Sequence, residues 1–321
     1  MGLTESVLIE RFFRACGAQR SDVTLGIGDD AALLRFGAGN DLVAKTDTLV
    51  EGVHFPHGSP PASIGHRALA VNLSDIAAMG ARPAWALLAL TLPRAEEGWL
   101  AEFAAGLGAL AREHRVALVG GDTTHGPLTI TVQLLGSVPA GAALRRGGAH
   151  AGDVLFVSGN PGDAAAGLAL EQGRLTAPDG ARDYLRERFL LPTPRVALGE
   201  RLRTFASACI DVSDGLLGDA GKLAKASALG AELTFEELPV SEALCATLGE
   251  EGARLLALSG GDDYELCFAV PAAQVARLHA ELPPERWNYQ RIGALSETRG
   301  ERVLRGGTVM EFSHSGYQHF A

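Results

Sequence analysis

The sequence predicts an α/β (α+β) protein built from two domains. The chain has 321 residues, more than one ordinary hydrophobic core accommodates. Segments with the pattern of strands alternate with segments that have the spacing of helices, an order typical of mixed α/β folds. A glycine-rich stretch at residues 139–152 interrupts this alternation. We therefore predict one domain at residues 1–140 and a second at residues 141–321.

Strands and two helices are predicted for the first domain. A short apolar run begins a strand at residues 41–46, and residues 84–92 and 128–138 have the composition of buried strands. An amphipathic helix is predicted from apolar residues that recur at helical spacing, namely Leu100, Phe103, Leu107 and Leu110. Residues 62–80 are rich in Ala and Leu and are also predicted to be helical.

The second domain restarts with a strand at residues 154–157. A turn follows at residues 159–162, and Asp163 is a favourable first residue for the next helix. Further strands are predicted at residues 208–212, 231–235 and 265–270. The Arg305-Gly306-Gly307-Thr308 segment predicts a late hairpin turn.

Charge and composition exclude several classes of function. The formal net charge of −10 disfavours nucleic acid as a partner, because binding its phosphates requires a dense Lys/Arg surface. No segment approaches the roughly 20 apolar residues of a membrane span, and the first residues lack a secretory signal pattern. The four cysteines have neither zinc-site nor disulfide spacing, which favours a reducing cytoplasm; they are Cys16, Cys209, Cys245 and Cys267.

Aspartates recur in Gly/Ser/Thr turns that follow apolar runs predicted to be strands. This happens five times, at residues 26–30, 45–48, 120–124, 211–215 and 259–263. Capping of turns explains any single instance, but five together predict carboxylates that converge on cations, because like charges repel unless a cation intervenes. Hard oxygen ligands suit Mg²⁺, which commonly shares its coordination with substrate phosphates. Asp75, inside a helical stretch, is either a solvent-facing residue or a ligand on this pattern alone.

Other motifs are excluded or too weak to assign a function. Residues 26–31 match the dinucleotide pattern G-x-G-x-x-G/A, but two aspartates would occupy the turn that should meet a pyrophosphate. There is no G-x-x-x-x-G-K-[ST] loop and no protein-kinase signature set. His54 and His57 lack a third zinc ligand nearby, so His54 is either an ordinary loop residue or a substrate contact.

Seven longer strings occur in order along the chain: Gly-Ile-Gly-Asp-Asp-Ala at 26–31, Thr-Asp-Thr-Leu-Val-Glu-Gly-Val-His-Phe at 46–55, Ala-Val-Asn-Leu-Ser-Asp-Ile-Ala-Ala-Met-Gly-Ala-Arg-Pro at 70–83, Gly-Gly-Asp-Thr-Thr at 120–124, Ile-Asp-Val-Ser-Asp-Gly-Leu at 210–216, Ser-Gly-Gly-Asp-Asp-Tyr-Glu-Leu at 259–266 and Gly-Tyr-Gln-His-Phe at 316–320. Together they resemble the thiamine-monophosphate kinase family over nearly the whole chain. The first strings are shared with enzymes that make aminoimidazole ribonucleotide or selenophosphate. The last two resemble the thiamine enzyme alone.

This resemblance implies an aminoimidazole ribonucleotide synthetase-like fold and a kinase. The family phosphorylates thiamine monophosphate to thiamine diphosphate with ATP and Mg²⁺, which implies a cytoplasmic enzyme of thiamine diphosphate biosynthesis. Residues 1–140 would form the ATP- and magnesium-binding and dimerisation domain, whose sheet pairs across a homodimer. Residues 141–321 would complete the phosphate and substrate site. The expected partners are the two small substrates and a second copy of the chain, with no nucleic acid and no membrane.

The resemblance also implies roles for individual residues. The implied metal ligands are Asp30, Thr46, Asp47, Asp75, Asp122, Asp211 and Asp214. The implied ATP contacts are Gly121, Asp122, Arg146, Ser213 and His114, and the implied thiamine-phosphate contacts are His54, Asp262 and Tyr317. Three residues depart from the family pattern: Lys45 replaces a frequent small hydroxyl residue, Asp262 a common Glu, and His114 a frequent aromatic. Asp29 and Asp263 are expected to be supporting residues.

The implied chemistry is direct in-line phosphoryl transfer assisted by several Mg²⁺ ions, without a residue that acts as acid or base. An oxygen of thiamine monophosphate is already anionic near neutral pH and attacks the γ-phosphorus of ATP. Catalysis then depends on positioning and on charge neutralisation. Two alternatives remain from the sequence, an ATP-dependent synthetase of the same superfamily and a nucleotide-binding protein without catalytic activity.

Overall fold

The computed structural model of the chain describes residues 4–28 and 31–311. The chain divides into two compact units, and each is described by itself. The N-terminal unit comprises Met1–Ile76 and Ala81–Ala142, and the C-terminal unit comprises Ala77–Gly80 and Ala143–Ala321. Two implied site residues, Asp30 and Tyr317, lie outside the described residues, so their roles stay predictions.

The N-terminal unit contains a four-stranded sheet in the order β3-β6-β4-β5, in which β4 and β5 are parallel and the other pairs are antiparallel. A separate two-stranded sheet pairs β1 with β2. The strands are β1 Val23–Leu25, β2 Leu33–Leu34, β3 Asn40–Val50, β4 Arg82–Leu92, β5 Ala117–His125 and β6 Thr129–Pro139. The helices are α1 Glu5–Leu8, α2 Pro61–Ala78 and α3 Glu97–Glu113.

One face of the four-stranded sheet is apolar and buried, whereas the other is mixed: Trp85 and Val119 belong to a smaller buried apolar cluster there, and other side chains are exposed. Leu88 and Val132 are paired across β4 and β6 on the buried face, and they line a small cavity together with Leu69 of α2 and Leu107 of α3. The two helices approach each other closely, because a Cβ added at Gly106 would lie 1.9 Å from the carbonyl oxygen of Ala62. The period-2 alternation of the strands therefore decides which side chains face the helices.

The C-terminal unit contains a seven-stranded mixed sheet in the order β13-β12-β9-β11-β7-β10-β8. Its strands are β7 Val154–Ser158, β8 Ala208–Val212, β9 Gly230–Thr234, β10 Glu265–Val270, β11 Tyr289–Ser296, β12 Gly300–Arg305 and β13 Thr308–Met310. Its helices are α4 Asp163–Glu171, α5 Asp179–Leu190, α6 Val196–Leu202, α7 Leu216–Ala226, α8 Glu242–Ser259, α9 Val275–Glu281 and α10 Pro284–Trp287.

Buried strands β8 and β10 lie side by side at one end of this sheet. Every residue of both strands is buried, including Asp211 and Glu265, so their sequences do not alternate between apolar and polar residues. The outer side of β8 is covered in part by main chain, since the N–H of Cys209 donates to the carbonyl of Arg145. That contact covers a strand edge that would otherwise expose unpaired backbone groups.

The predicted α/β fold with helices and sheets in both halves is confirmed. The late hairpin also forms, because Gly306 and Gly307 adopt positive φ angles of 55° and 79° between β12 and β13. Helix α4 begins at Asp163, but the capping carboxylate is Asp263, which accepts from the N–H groups of Gly162 and Ala164. Among the described residues no helix is both long and apolar enough to cross a membrane.

Candidate active site

A cluster of one lysine and two aspartates lies beside the buried face of the N-terminal sheet. Lys45 and Asp47 are two residues apart on β3, so their side chains leave the strand on the same face, and Asp75 lies on α2. The Lys45 Nζ atom lies 2.9 Å from Oδ2 of Asp75 and 3.2 Å from Oδ1 of Asp47. All three side chains are partly buried, so the lysine bridges two carboxylates that share a poorly solvated position.

Burial and the neighbouring charges together shift the pKa values of Asp47 and Lys45 in this cluster. Burial raises the pKa of Asp47, Lys45 lowers it, and the neighbouring Asp75 raises it, with a net increase above the usual value. Burial lowers the pKa of Lys45, but the combined attraction of Asp75 and Asp47 outweighs burial and the pKa is raised. The ammonium group is therefore charged throughout the physiological pH range.

Asp122 lies on the other edge strand of the same sheet. In the order β3-β6-β4-β5, three strand spacings of about 4.8 Å separate Asp47 from β5, which is about 14 Å. Asp122 pairs in register with Ala89, whereas Gly121 pairs with Leu88 of the buried face, so the exposed Asp122 side chain belongs to the opposite face. Asp47 and Asp122 of one chain therefore do not meet at a single ion.

Thr46 and His54 have well-defined local contacts. The Thr46 hydroxyl donates to the carbonyl of Val132 at 3.2 Å, and its side chain faces away from that of Asp47, so only its main-chain carbonyl would remain for the same ion. After β3, the N–H of Val50 donates to Nδ1 of His54 at 3.0 Å. This contact leaves the His54 proton on Nε2 in the neutral ring.

His114 and Asp122, two of the implied ATP contacts, lie near opposite ends of β5. His114 follows the last residue of α3 and precedes the strand, whereas Asp122 lies near the strand's carboxyl end. Burial lowers the pKa of His114, with a smaller opposing contribution from Glu113. The imidazole is thus neutral at physiological pH. Its assignment to the nucleotide stays a prediction.

In the C-terminal unit, three implied residues lie at the end of β8. Asp211 is a buried strand residue, and Ser213 and Asp214 form the turn that leads into α7. Asp219, a buried residue in the first turns of α7, accepts from the N–H groups of Ser213, Asp214 and Gly215 at 3.0, 3.0 and 3.2 Å. These three hydrogen bonds fix the turn that carries the implied contacts.

Lys222 contacts the carboxylates of this turn from one helical turn further along α7. Its Nζ atom donates to Oδ2 of Asp214 and, at 2.8 Å, to Oδ1 of Asp219. Burial raises the pKa of Asp219 and Lys222 lowers it, with a net increase. Asp219 and Lys222 were not predicted from the sequence, although an acidic residue in the first turn of a helix is a local signal for a carboxylate that reaches back to the N–H groups before the helix.

The loop before β10 is strained and is held against the end of β8. Asp262 and Tyr264 have positive φ angles of 69° and 54°, a conformation that costs roughly 1–2 kcal/mol for most residues. The N–H of Asp262 donates to the carbonyl of Ser213 at 2.8 Å, and the N–H of Tyr264 donates to that of Val212. The structure therefore brings Asp262, an implied substrate contact, beside Ser213, an implied nucleotide contact.

Glu265, which the sequence left unassigned, anchors this strained loop. Its buried carboxylate accepts two hydrogen bonds from Arg195 and one from Arg188, and it also accepts from the hydroxyl of Ser158. Asp263, two residues before Glu265, accepts from the N–H groups at the start of α4, and its expected supporting role in the site stays a prediction. Charged side chains at the start of β10 thus determine where Asp262 is placed.

Arg146 is exposed and lies next to the backbone contact between Arg145 and Cys209 of β8. Its backbone therefore lies near the strand that carries Asp211. A fork of N–H donors in this position is suited to a phosphate group.

The donor atoms fit magnesium, although the residues are not a complete ligand set. Carboxylate and carbonyl oxygens are the ligands that Mg²⁺ prefers, and it usually keeps waters and shares phosphate oxygens. Within residues 4–28 and 31–311 no group of three or more His, Cys, Asp or Glu side chains could hold a metal ion. In the Lys45 cluster, Asp47 and Asp75 would hold a cation, and in the C-terminal unit Asp211 and Asp214 would do so.

Part of the aspartate pattern was misread in the sequence. Asp47, Asp122 and Asp211 lie within strands β3, β5 and β8 rather than in turns that follow strands. Residues 256–258 end a helix, α8, and not a strand. Gly and Thr in these strands suggested turns, but pairing with neighbouring strands carries the extended backbone through them.

Comparisons with known proteins cover nearly the whole chain. Residues 28–138 match the family described as AIR synthase related protein, N-terminal domain, and residues 150–305 match its C-terminal domain. The thiamine-monophosphate kinase of Salmonella typhimurium is 46% identical over 323 residues, with 100% of this chain and 99% of the relative covered. That of Bacillus subtilis is 36% identical, with 94% of each covered.

Solved structures agree with these relatives. The crystal structure of thiamine-monophosphate kinase from Stenotrophomonas maltophilia is 50% identical with a TM-score of 0.87, and covers 97% of this chain and 99% of its own. A second structure, AaThiL complexed with AMPPCP and TMP, is 34% identical with a TM-score of 0.76 and 92% coverage of both chains. The fold, the order of the acidic strings and the full-length identity together show that this chain belongs to the thiamine-monophosphate kinase family.

Proposed function

We propose that this chain transfers the γ-phosphoryl group of ATP to thiamine monophosphate and so forms thiamine diphosphate. The observation that carries the proposal is full-length similarity to thiamine-monophosphate kinases, one of which was solved with the ATP analogue AMPPCP and with TMP. The chain is in this view a phosphotransferase whose acceptor is itself a phosphate group. Free, mostly buried cysteines suit the reducing cytoplasm in which ATP and the substrate are found.

The mechanism requires no strong base. A terminal oxygen of thiamine monophosphate is anionic near neutral pH, so the chain's task is to hold two anionic substrates in line and to neutralise charge. Several magnesium ions, when bound, would neutralise the phosphate oxygens on which charge develops. Asp47 and Asp75 in one unit, and Asp211 and Asp214 in the other, are the residues that would hold them.

Other side chains position the substrates directly. His54, whose Nδ1 accepts from the N–H of Val50, would contact the substrate phosphate. Arg146 would bind a phosphate of the nucleotide through its guanidinium. Asp262, fixed by its hydrogen bond to Ser213 and by the neighbouring Tyr264 hydroxyl at 3.1 Å, would contact thiamine monophosphate.

A direct assay tests the proposed reaction. The purified chain is incubated with ATP, Mg²⁺ and thiamine monophosphate, and thiamine diphosphate is detected by chromatography, with excess chelator as the control. Product that depends on both substrates and disappears with chelator is expected. A well-folded sample that makes none would instead favour an ATP-dependent synthetase of the same superfamily.

The strand order supports a further part of the proposal, a homodimer in which Asp122 serves the other chain's site. Asp47 and Asp122 lie on opposite edge strands of one sheet, so they would share a site if the β3 edge of one chain met the β5 edge of a second, a contact that a two-fold axis would repeat at the other pair of edges. Mixing Asp47→Asn with Asp122→Asn chains tests this. If the two residues meet across the dimer, each mixed dimer has one intact site, and random mixing returns about a quarter of wild-type activity. No recovery in dimers shown to be mixed would contradict it.

A further inference from the structure

Lysine is rare in this chain, and its placement is selective. The sequence contains 3 lysines and 25 arginines, so arginine supplies nearly all of the positive surface charge. Two of the lysines, Lys45 and Lys222, each contact a pair of aspartates. The third, Lys225, is an exposed residue of α7. Lysine is therefore used mainly where a cation must fit between carboxylates.

The geometry of the Lys45 cluster explains why lysine suits it. Nζ lies within hydrogen-bond distance of one oxygen from each carboxylate, and the side-chain exposures are 31% for Lys45, 34% for Asp47 and 22% for Asp75. An ammonium group is a compact point charge with three donors, whereas a guanidinium is a wide planar fork that favours both oxygens of one carboxylate. A lysine can thus stand between two carboxylates as a small metal ion would.

The net charge of the Lys45 cluster also indicates that the lysine stands where a divalent ion would bind. Two partly buried carboxylates on facing elements repel each other unless a cation lies between them. One ammonium supplies a single positive charge, so the cluster keeps a net charge of −1, whereas a divalent ion would neutralise the pair. Lysine and a divalent ion would occupy the same space and therefore exclude each other.

We propose that the Lys45 ammonium is a built-in cation that takes the place of one divalent ion between Asp47 and Asp75. In the nucleotide-free chain this pair holds the lysine, and the chain binds one divalent ion fewer than the same scaffold would with a short neutral side chain at residue 45. The inference rests on the proposed magnesium-dependent function, in which both aspartates would hold a cation.

Metal titration without nucleotide tests it. Full-length wild-type and Lys45→Ser chains are titrated with Mn²⁺ while the free ion is followed by electron paramagnetic resonance, and with Mg²⁺ in a calorimeter. Lys45→Ser should bind one more Mn²⁺ per chain, or bind an existing one at least about tenfold more tightly, because a competing charge has been removed. Lys225→Ser removes an exposed lysine and should bind as the wild type does.

Two further variants locate the added ion. In the double variant Lys45→Ser/Asp75→Asn the gain should disappear, because the second carboxylate is lost. Lys45→Arg keeps the charge and should gain no ion. If Lys45→Ser unfolds without metal, refolding on addition of Mg²⁺ also supports the proposal, and if it does not refold, Lys45→Gln is titrated in its place.

The proposal is overturned if the folded Lys45→Ser or Lys45→Gln chain binds Mn²⁺ with unchanged stoichiometry and affinity. The same holds if the gain persists in the double variant, which would place it elsewhere. Its failure is separable from failure of the proposed function, because the wild-type product assay is independent of the titration. A chain that makes thiamine diphosphate but gains no ion in Lys45→Ser retains the function and refutes the role of Lys45.

Discussion

Two lysine–aspartate clusters, one in each unit, stabilise neighbouring carboxylates in different ways. In the N-terminal unit, Lys45 bridges Asp47 and Asp75 from two separate elements, a strand and a helix. In the C-terminal unit, Lys222 contacts Asp214 and Asp219, but three backbone N–H groups also point at Asp219. The first cluster depends on a side-chain cation, whereas the second is held mainly by the backbone.

We infer from this difference that Asp219 mainly stabilises the fold, whereas Asp47 and Asp75 are placed to bind a ligand. Backbone N–H groups near a helix N-terminus cannot be withdrawn, so Asp219 is fixed as part of the turn. A lysine side chain can move or be replaced, so Asp47 and Asp75 remain accessible to another cation. We therefore expect substitutions in the Lys45 cluster to change chemistry more than stability, and substitution of Asp219 to do the reverse.

The largest effect is expected for Asp75→Asn. If Asp75 holds a cation at the reacting phosphates, as proposed, its loss should lower turnover between about 100-fold and 1,000-fold. Unfolding free energy should change by less than about 1 kcal/mol, because the side chain is partly exposed and an amide fits the same space. Turnover is measured with thiamine monophosphate and ATP, and stability by urea unfolding.

Glu102→Gln is the matched control for the Asp75 variant. Glu102 is an exposed carboxylate of α3 in the same unit, so its neutralisation should change neither quantity. Near-wild-type turnover in a folded Asp75→Asn chain would show that the Lys45 cluster does not serve the reaction.

Asp219→Ala is expected to be the most destabilising change. It leaves three N–H groups of the partly buried 213–215 turn without their acceptor, which should cost about 2–4 kcal/mol. Asp219→Asn keeps one acceptor oxygen and should cost less. If Asp219→Ala lowers turnover without lowering the urea midpoint, Asp219 acts on the ligand and the contrast between the clusters fails.

The sequence predicted the helices and strands better than it predicted which distant residues contact each other. Helix α3 was correctly placed from the spacing of Leu100 and its neighbours, since a repeated apolar face on a helix is a local property. Some contacts join residues about 70–100 positions apart, namely those of Asp263 with the start of α4 and of Glu265 with Arg195. The periodicity of apolar residues carries no information about such long-range contacts.

The candidate site shows the same limit. The acidic strings and the family resemblance named Asp47 and Asp75, but neither predicted that Lys45 would lie between them, because strand alternation had to be combined with the position of α2. Similarly, the string around Asp122 gave no strand order, and only the order of the sheet separates this residue from Asp47.

Another buried carboxylate, Asp163, extends the comparison of the two clusters, because hydroxyl groups rather than a lysine or backbone N–H groups donate to it. Ser241 and Tyr184 donate to it at 2.6 and 2.9 Å, and burial raises its pKa from 3.8 to about 6. The folded chain therefore retains a proton that the unfolded chain has lost between about pH 4 and pH 6. Stability from this group is fully present below about pH 4 and is lost as the pH rises through 6.

Asp163→Asn tests this pH dependence. The variant has no charge to bury, so its unfolding free energy relative to wild type should rise between about pH 4 and pH 7, by an amount on the order of 1–3 kcal/mol. Urea unfolding at each pH gives the difference. Parallel pH curves for the two chains would mean that Asp163 titrates as it does in the unfolded state.

The smallest effect is expected for Lys222→Ser, and it tests the backbone's role most directly. Lys222 is 43% exposed, so its ion pairs with Asp214 and Asp219 should contribute less than about 1 kcal/mol to stability. The three N–H groups would still hold Asp219, and the 213–215 turn should keep its hydrogen-exchange protection. A loss larger than that of Lys45→Ser, measured under the same metal-free conditions, would show that the lysine and not the backbone supports the C-terminal cluster. The double variant Lys222→Ser/Asp219→Asn then distinguishes the two contributions, because additive losses indicate independent partners and a smaller combined loss indicates a shared one.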